Sequence, residues 1–127
     1  MRGISDSTLN SLWRAAVLKL FGGKCIICGQ GPFSDNPLEA HHVNRRAHLT
    51  TRWDHRNGVP AHKYGCHNIA ASKEGEAKIR IIMGDELYFE LDRLARTTIK
   101  DYCQKTGTTK NEFKSMMKLN LLKLLEE

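Results

Sequence analysis

Two short pairs of Cys and His residues constrain the fold of this chain more than any other feature of its sequence. Cys25 and Cys28 stand in CIIC, and His62 and Cys66 stand in HKYGC. Two thiolates separated by two residues can reach one tetrahedral ion from a tight turn, and the second pair has finger-like spacing. Two short strands and one helix bury too little apolar surface to hold a fixed geometry, whereas structural zinc contributes folding energy directly. We therefore predict a structural zinc site at Cys25, Cys28, His62 and Cys66.

The identity of the fourth ligand is the least constrained part of this prediction, because His55 or His67 could replace His62. The alternative without a metal is that the cysteines pack as small apolar side chains. Two disulfides are disfavoured, since the N-terminal segment lacks the pattern of a secretion signal. Cys103 lies far from the other three cysteines and is predicted to be a buried or free thiol.

Hydrophobic spacing predicts the order of helices and strands. Residues 7–21 place apolar side chains three and four apart, which indicates a first amphipathic helix that ends at Gly22 and Gly23. The next segment, 24–37, has loop composition. PLEAHHV and GVPA predict short strands on either side of a long polar loop that ends in RNG, and YGCHNIAASKEGEAK predicts a helix. The centre of the chain therefore reads strand, long loop, strand, helix.

The rest of the chain is predicted to be helical. Asp85 is expected to cap a helix that continues to Tyr102, and Thr109 with Glu112 forms a capping box for a last helix. That last helix has a broad apolar face, for which packing on the core and a homodimer contact are the alternatives. We expect two segments, a domain over residues 1–75 and a helical extension over residues 76–127.

The charge balance favours a polyanionic partner. Twenty Lys and Arg against fourteen Asp and Glu give a formal charge of +6, which favours phosphate contacts. No apolar run approaches the ~20 residues that cross a bilayer, so no membrane partner is expected. These features predict a cytoplasmic protein.

Three histidines and an asparagine complete the pattern: His41 and His42 in LEAHHV, Asn57 in RWDHRNGVP and His67 in YGCHN. With these residues the sequence resembles the HNH nucleases, whose ββα-metal motif is named after a His, an Asn and a His in this order. CIIC fits the zinc-braced subgroup of that family, and the resemblance covers roughly residues 24 to 72. It implies an α+β fold, with a small ββα-metal (His-Me finger) core braced by zinc between an N-terminal helix and a helical extension.

The resemblance also implies a role for each residue. His41 and His67 would bind one catalytic divalent ion, His42 would be the general base, and Asn57 would fasten the long loop or help bind the metal. A histidine can accept a proton from water near neutral pH, and a cation with open positions neutralises charge on a phosphodiester. Cleavage of DNA would leave a 5′ phosphate and a 3′ hydroxyl. Imidazole ligands suit Zn²⁺, Ni²⁺ or Mn²⁺, and some relatives have Asp at the His41 position, which would favour Mg²⁺.

One geometric difficulty accompanies these roles. Adjacent residues on a regular strand point to opposite faces of the sheet, yet His41 and His42 would have to act on one phosphate. A twisted strand end or a bulge before the long loop, at VNRR just after the pair, is the expected solution.

The long loop is rich in cations that suit phosphate oxygens. Trp53 is expected to anchor this loop, and His48 and His55 are expected to be ordinary loop residues rather than ligands of a metal or phosphate. The predicted DNA contacts are Arg45, Arg46, Arg52, Arg56 and Lys63.

Other functions fit the same residues. The histidines could form an inert second metal site in a zinc-dependent DNA-binding module without catalysis, or the substrate could be RNA, as in a toxin nuclease. Small HNH proteins of this kind suggest a bacterial or phage-infected host cytoplasm. Without a recognition module, we expect weak sequence preference or a partner protein that supplies specificity.

Overall fold

The computed structural model describes residues 3–127, and over this range the chain has the predicted α+β class. A two-stranded antiparallel sheet is surrounded by helices. In chain order the elements are α1 (Asp6–Leu20), β1 (Leu38–His42), α2 (Leu49–Arg52), a 3₁₀ turn (His55–Asn57), β2 (Gly58–His62), α3 (Cys66–Ala70), α4 (Lys73–Met83), α5 (Asp85–Arg96), α6 (Ile99–Thr106) and α7 (Lys110–Glu126).

The first helix forms as its sequence predicts. The Ser5 side chain caps α1 by accepting a hydrogen bond from the backbone N–H of Thr8. After the helix ends, Gly22 and Gly23 both have positive φ values, of 64° and 69°, a conformation that favours glycine. The buried face of α1 is the apolar stripe that includes Leu9, Trp13, Ala16 and Val17.

The two strands pair with a regular register. Leu38 lies opposite His62, and each following residue pairs with one partner until His42 lies opposite Gly58. The backbone N–H of Val43 continues the ladder to the carbonyl of Asn57. The chain then leaves the sheet, so β1 reaches His42 without the expected bulge.

Two helices predicted from the sequence are interrupted in the structure: the helix over YGCHNIAASKEGEAK is divided between α3 and α4, and the helix from Asp85 to Tyr102 is divided between α5 and α6. The helix predicted to run to Tyr102 ends at Arg96, because the side chain of Thr98 caps a new helix through the N–H of Asp101. Asp85 is the first residue of α5 and not its cap, which is Gly84. The capping box of Thr109 and Glu112 at the start of α7 is confirmed.

The core has two clusters of buried side chains. One joins α1, the long loop and α7 through Leu9, Trp13, Ala16, Val17, Trp53, Phe113 and Leu121. The other lies between the sheet and helices α3 and α4 and consists of Cys25, Leu38, Val59, Ala61, Ala70 and Ile79. Helix α7 therefore packs along α1 with its apolar face buried, while Met116, Leu119 and Leu122 remain exposed on its outer side.

Among the residues that the structure describes, no helix is both long and apolar enough to cross a membrane.

Candidate functional site

Three cysteines and one histidine converge into a site that could hold a metal ion. The ligand atoms of Cys25, Cys28, His62 and Cys66 all lie within 4.8 Å of one another. Three thiolates and one imidazole are a ligand set of structural zinc sites. The prediction that these four residues come together is confirmed, with His62 and not His55 or His67 as the histidine.

Local backbone geometry brings the two pairs together. The CIIC turn closes through the N–H of Gly29, which has a φ of 77° and donates to the carbonyl of Cys25 at 2.9 Å. The N–H of Ile26 donates to the carbonyl of Pro60 in β2 at 2.8 Å, which fixes the turn against the strand that carries His62. Beyond this strand Gly65, with a φ of 86°, turns the chain into α3, where Cys66 is the first residue.

The tautomer of His62 leaves one nitrogen available for the metal. Its Nε2 lies 2.7 Å from the carbonyl oxygen of Gly31, which can only accept, so Nε2 carries the proton and donates. Its unprotonated Nδ1 faces the cluster, 3.3 Å from Sγ of Cys28. A second hydrogen bond of this kind commonly orients a metal-binding histidine.

The thiols of the cluster compete for negative charge. Burial opposes ionisation of Cys25, yet backbone N–H groups of Cys28, His62 and Ile27 outweigh it and lower its pKa to about 6. Burial and the adjacent sulfurs of Cys25 and Cys28 raise the pKa of Cys66 to about 11. Closely spaced thiolates repel one another, and a bound cation removes that repulsion. The chemistry of the four donors therefore fits Zn²⁺.

A second group of side chains forms around His41 and His67. Nδ1 of His41 lies 3.4 Å from Nε2 of His67, with the two rings nearly perpendicular at 87°. On its other side, His67 places Nδ1 at 3.0 Å from Oε2 of Glu39. A carboxylate accepts the Nδ1 proton, which leaves the lone pair of His67 Nε2 directed at His41.

Burial keeps His41 neutral. Desolvation, reinforced by the charges of His67 and His42, lowers the pKa of His41 to about 4. At neutral pH His41 therefore retains a lone pair that can bind a metal ion.

His42 lies on the opposite face of β1 and is held by other contacts. Its ring stacks on the indole of Trp13, with 3.9 Å between ring centroids and 9° between planes. Its Nε2 lies 3.0 Å from the carbonyl of Arg52, and this acceptor requires the proton on Nε2. Burial, with the nearby charges of Arg52 and Arg46, lowers the pKa of His42 despite that hydrogen bond. Neutral His42 therefore has an unprotonated Nδ1.

Asn57 holds the two ends of the long loop. It is fully buried, and its Oδ1 accepts a hydrogen bond from the N–H of Asn44 at 2.7 Å. Its Nδ2 donates to the carbonyls of Asn44 and Thr51 at 3.2 and 3.0 Å. Of the two predicted roles of Asn57, these contacts support fastening of the loop.

His42 and His67 border a cleft between α1 and β1. The cleft has a volume of about 440 Å³ and is lined by Asn10, Trp13, Arg14, Glu39, Ala40, His42, Arg46 and His67. Arg14 is exposed and anchored, since its Nη2 donates to the carbonyl of Leu38 at 2.8 Å. The cleft thus combines His42, the carboxylate and imidazole of the second group, and two guanidinium groups.

The cations predicted to contact DNA occupy two kinds of environment. Arg45, Arg46 and Lys63 are exposed. Arg52 has a side chain only 13% exposed, with Nη1 3.7 Å from Oδ2 of Asp6. Arg56 pairs with Asp54 at 2.8 Å and with Glu90 at 3.3 Å.

The remaining residues singled out in the sequence are Trp53, Cys103, His48 and His55. Trp53 is 2% exposed, and its Nε1 donates to Oδ1 of Asn10, as expected of a loop anchor. Cys103 is a free, half-buried thiol. His48 precedes α2 as its N-cap residue, and His55 opens the 3₁₀ turn.

Sequence reasoning did not identify Trp13, Arg14 or Glu39 as residues of the cleft. Glu39 had a usable signal, because residues i and i+2 of a strand share one face and Glu39 therefore lies beside His41. Arg14 and Trp13 come from α1, outside the segment with the histidines. Helical periodicity predicts that Trp13 is buried but not what it contacts.

Comparison with known proteins gives no significant match to a protein-family model, to a curated protein or to a solved structure.

Proposed function

We propose that this chain is a metal-dependent HNH endonuclease that hydrolyses DNA phosphodiester bonds and leaves a 5′ phosphate and a 3′ hydroxyl. The observation that carries the proposal is the 3.4 Å separation of His41 Nδ1 and His67 Nε2, beside a neutral His42 in the next position of the strand. In this proposal the β1, β2 and α3 elements form a ββα-metal core, and Cys25, Cys28, His62 and Cys66 hold structural Zn²⁺ that braces it.

The spacing of the two histidine nitrogens fits a shared ion. Two nitrogens each about 2.0–2.1 Å from one ion, at a tetrahedral angle, are separated by about 3.4 Å. His41 and His67 would therefore hold the catalytic ion, with Glu39 orienting His67 through its Nδ1 proton. When bound, such an ion supplies positive charge that stabilises the scissile phosphate and the departing 3′ oxygen.

His42 supplies the proton acceptor. Its Nε2 proton is committed to the carbonyl of Arg52, so Nδ1 is the nitrogen that takes a proton from the attacking water. Because burial lowers the pKa of His42, the ring stays neutral at neutral pH and its Nδ1 keeps a lone pair. The regular strand directs His41 and His42 to opposite faces, but His42 and the proposed ion ligand His67 line the same cleft, so the base and the ion can act on one phosphate there.

The cleft offers contacts for a DNA backbone. Arg14 and Arg46 line it together with His42, and guanidinium groups bind phosphate oxygens well. Arg45 and Lys63 are exposed and extend the basic surface. Arg52 and Arg56 are engaged in ion pairs, so we assign most of the phosphate contacts to the other four cations.

The test is cleavage of supercoiled plasmid by the zinc-loaded protein, first in chelator and then with Mg²⁺, Mn²⁺, Ni²⁺ or Zn²⁺. We expect metal-dependent nicking or linearisation by the wild type and none by His42→Ala, which should keep its zinc, its melting temperature and its affinity for duplex DNA. The matched control is His48→Ala, which removes an exposed histidine of the long loop. This variant should cut plasmid normally.

Three outcomes would contradict the proposal. Normal cutting by His42→Ala would overturn the assignment of the base. Duplex binding without cleavage in any metal would instead favour a DNA-binding module with an inert metal site. Cleavage of single-stranded RNA but not of plasmid would change the substrate to RNA.

A further inference from the structure

Trp13 makes the closest aromatic contact to the proposed base. The indole comes from α1 and lies flat on the imidazole of His42, with 3.9 Å between centroids and 9° between planes. Trp13 is itself 4% exposed, so one whole face of the imidazole is closed to water. Flat packing against a rigid ring restricts rotation of an imidazole about its χ2 angle.

The indole is fixed from two other directions. Its Nε1 donates to the carbonyl of Asp54 at 2.8 Å, which ties α1 to the end of the long loop. On the sheet, Gly58 is the cross-strand partner of His42. A Cβ atom at Gly58 would lie 2.5 Å from Cζ2 of Trp13 and 2.6 Å from Cγ2 of Val17. The indole therefore occupies space that any side chain opposite His42 would need.

Two contacts constrain the ring of His42: a hydrogen bond at its Nε2 and the flat contact with the indole. The carbonyl of Arg52 fixes the position of Nε2 at 3.0 Å, within the plane of the ring. A single hydrogen bond of this kind still allows the ring to tilt about the bond. The indole face removes that tilt, so the two contacts together fix where Nδ1 points.

We propose that Trp13 is a positioning residue for His42: it holds the plane of the imidazole and thereby the direction of its free nitrogen. The inference rests on the proposed function, in which His42 is the base. Trp13 lines the cleft but is only 4% exposed, so in this scheme it acts through His42 and not by binding the substrate. Since small displacements of a reacting group lower rates steeply, loss of the flat contact should act on turnover more than on substrate binding.

The experiment compares Trp13→Leu, which removes the flat face, with Trp13→Phe, which keeps it. The control is Phe113→Leu, a change in the same core cluster at a side chain whose ring packs on Tyr102, whereas His42 packs on Trp13. We expect kcat of Trp13→Leu to fall by about tenfold or more with KM within about twofold. Trp13→Phe should restore most of kcat, and Phe113→Leu should lower the melting temperature without this loss.

A second measurement does not depend on cleavage. In proton NMR spectra of the full zinc-loaded chain, ring currents of Trp13 should shift the carbon-bound ring protons of His42 upfield of those of His48. This displacement should persist in Trp13→Phe and disappear in Trp13→Leu. Should Trp13→Leu fail to fold, Gly58→Ala replaces it. The added methyl would lie 2.5 Å from Cζ2 of Trp13 and therefore displaces the indole.

The outcomes separate this inference from the proposed function. A wild type that cleaves, with kcat of Trp13→Leu equal to that of Phe113→Leu, would overturn the positioning role alone. Unshifted His42 protons in the wild type would do the same. A wild type that cleaves nothing would overturn the proposed function, and this role with it.

Discussion

At the scale of single residues, the adjacent histidines differ because the strand separates them. His41 faces α3 and meets His67, whereas His42 faces α1 and stacks on Trp13. Their hydrogen bonds also differ, since His42 donates to a backbone carbonyl while His41 faces another imidazole. These surroundings fit an ion-binding role for His41 and proton transfer for His42.

Glu39 should control the affinity of the proposed catalytic site for its ion. Its Oε2 accepts the Nδ1 proton of His67 at 3.0 Å, and loss of such a partner typically weakens metal binding by about 10- to 100-fold. We therefore expect Glu39→Gln to bind Mn²⁺ or Ni²⁺ more weakly by that factor in titration calorimetry. The control is Glu74→Gln, which changes an exposed carboxylate on α4. Equal affinities of the two variants for the ion would contradict this role of Glu39.

Acid should destabilise the chain through His41. Its pKa is 6.5 when unperturbed and about 4 in the fold, because burial disfavours the charged ring. The unfolded state therefore binds more protons between these values, so the stabilisation is complete above pH 6.5 and is lost as the pH falls to 4.

Urea unfolding of the chain without catalytic metal should reveal this loss. We expect it to be about 1 to 2 kcal/mol, since solvent screens a half-buried ring. Acid also protonates the zinc thiolates, so the informative comparison is with His41→Gln, which should lack this part of the acid sensitivity. Identical pH profiles of the two proteins would show that His41 contributes nothing.

At the scale of elements, the cluster of Cys25, Cys28, His62 and Cys66 joins three short segments of the chain. The CIIC turn, the end of β2 and the start of α3 each supply ligands, and α3 spans only five residues. His67 follows Cys66 directly, so an ion at the cluster also fixes the position of the proposed catalytic ligand. Zinc would thereby stabilise the fold and orient the second site at once.

Cys28→Ser should remove the bound zinc and destabilise the chain. We expect a melting temperature lower by about 10 °C or more, because structural zinc contributes several kcal/mol of folding energy. Cys103→Ser is the matched control, since Cys103 is a half-buried thiol outside the cluster, and it should keep full zinc content. Zinc content and melting unchanged in Cys28→Ser would refute the zinc site.

At the scale of the whole molecule, the helical extension supports the long loop. Phe113 and Leu121 of α7 share a core cluster with Trp13 and Trp53. Lys114 of the same helix pairs with Asp6, the first residue of α1, at 2.8 Å, and its Nζ lies 5.5 Å from the ring centroid of Trp53. Packing of α7 therefore supports Trp53, the anchor of the long loop.

Phe113→Ala should destabilise the entire chain and not α7 alone. Removal of a buried phenylalanine typically lowers the free energy of unfolding by about 3–5 kcal/mol, and Phe113 is 2% exposed. Leu119→Ala, on the outer side of the same helix, should change it by no more than about 0.5 kcal/mol. A single cooperative transition in calorimetry, shifted only by Phe113→Ala, is the expected result. Early melting of α7 by itself would contradict the coupling.

Local sequence determined most of the helices and strands and the members of the cluster of Cys25, Cys28, His62 and Cys66. Cys pairs, capping residues and hydrophobic periodicity act over a few residues, so they predicted α1, both strands, the capping box of α7 and the four converging ligands. The interruption at residues 97–98 was not predicted, because it is stabilised from a distance: the Thr50 hydroxyl donates to the carbonyls of Leu94 and Thr97.

Only the tertiary structure decided what surrounds the histidines. The sequence indicated His41, His42 and His67 as a group, but it carried no signal that Trp13 and Arg14 of α1 would lie beside them, or that Arg52 and Arg56 would be engaged in ion pairs. The contact of Trp13 with His42 joins residues 29 positions apart, and that of Arg52 with Asp6 joins residues 46 positions apart. Periodicity determines which face of a helix is buried, whereas the partner of that face depends on how the whole chain packs.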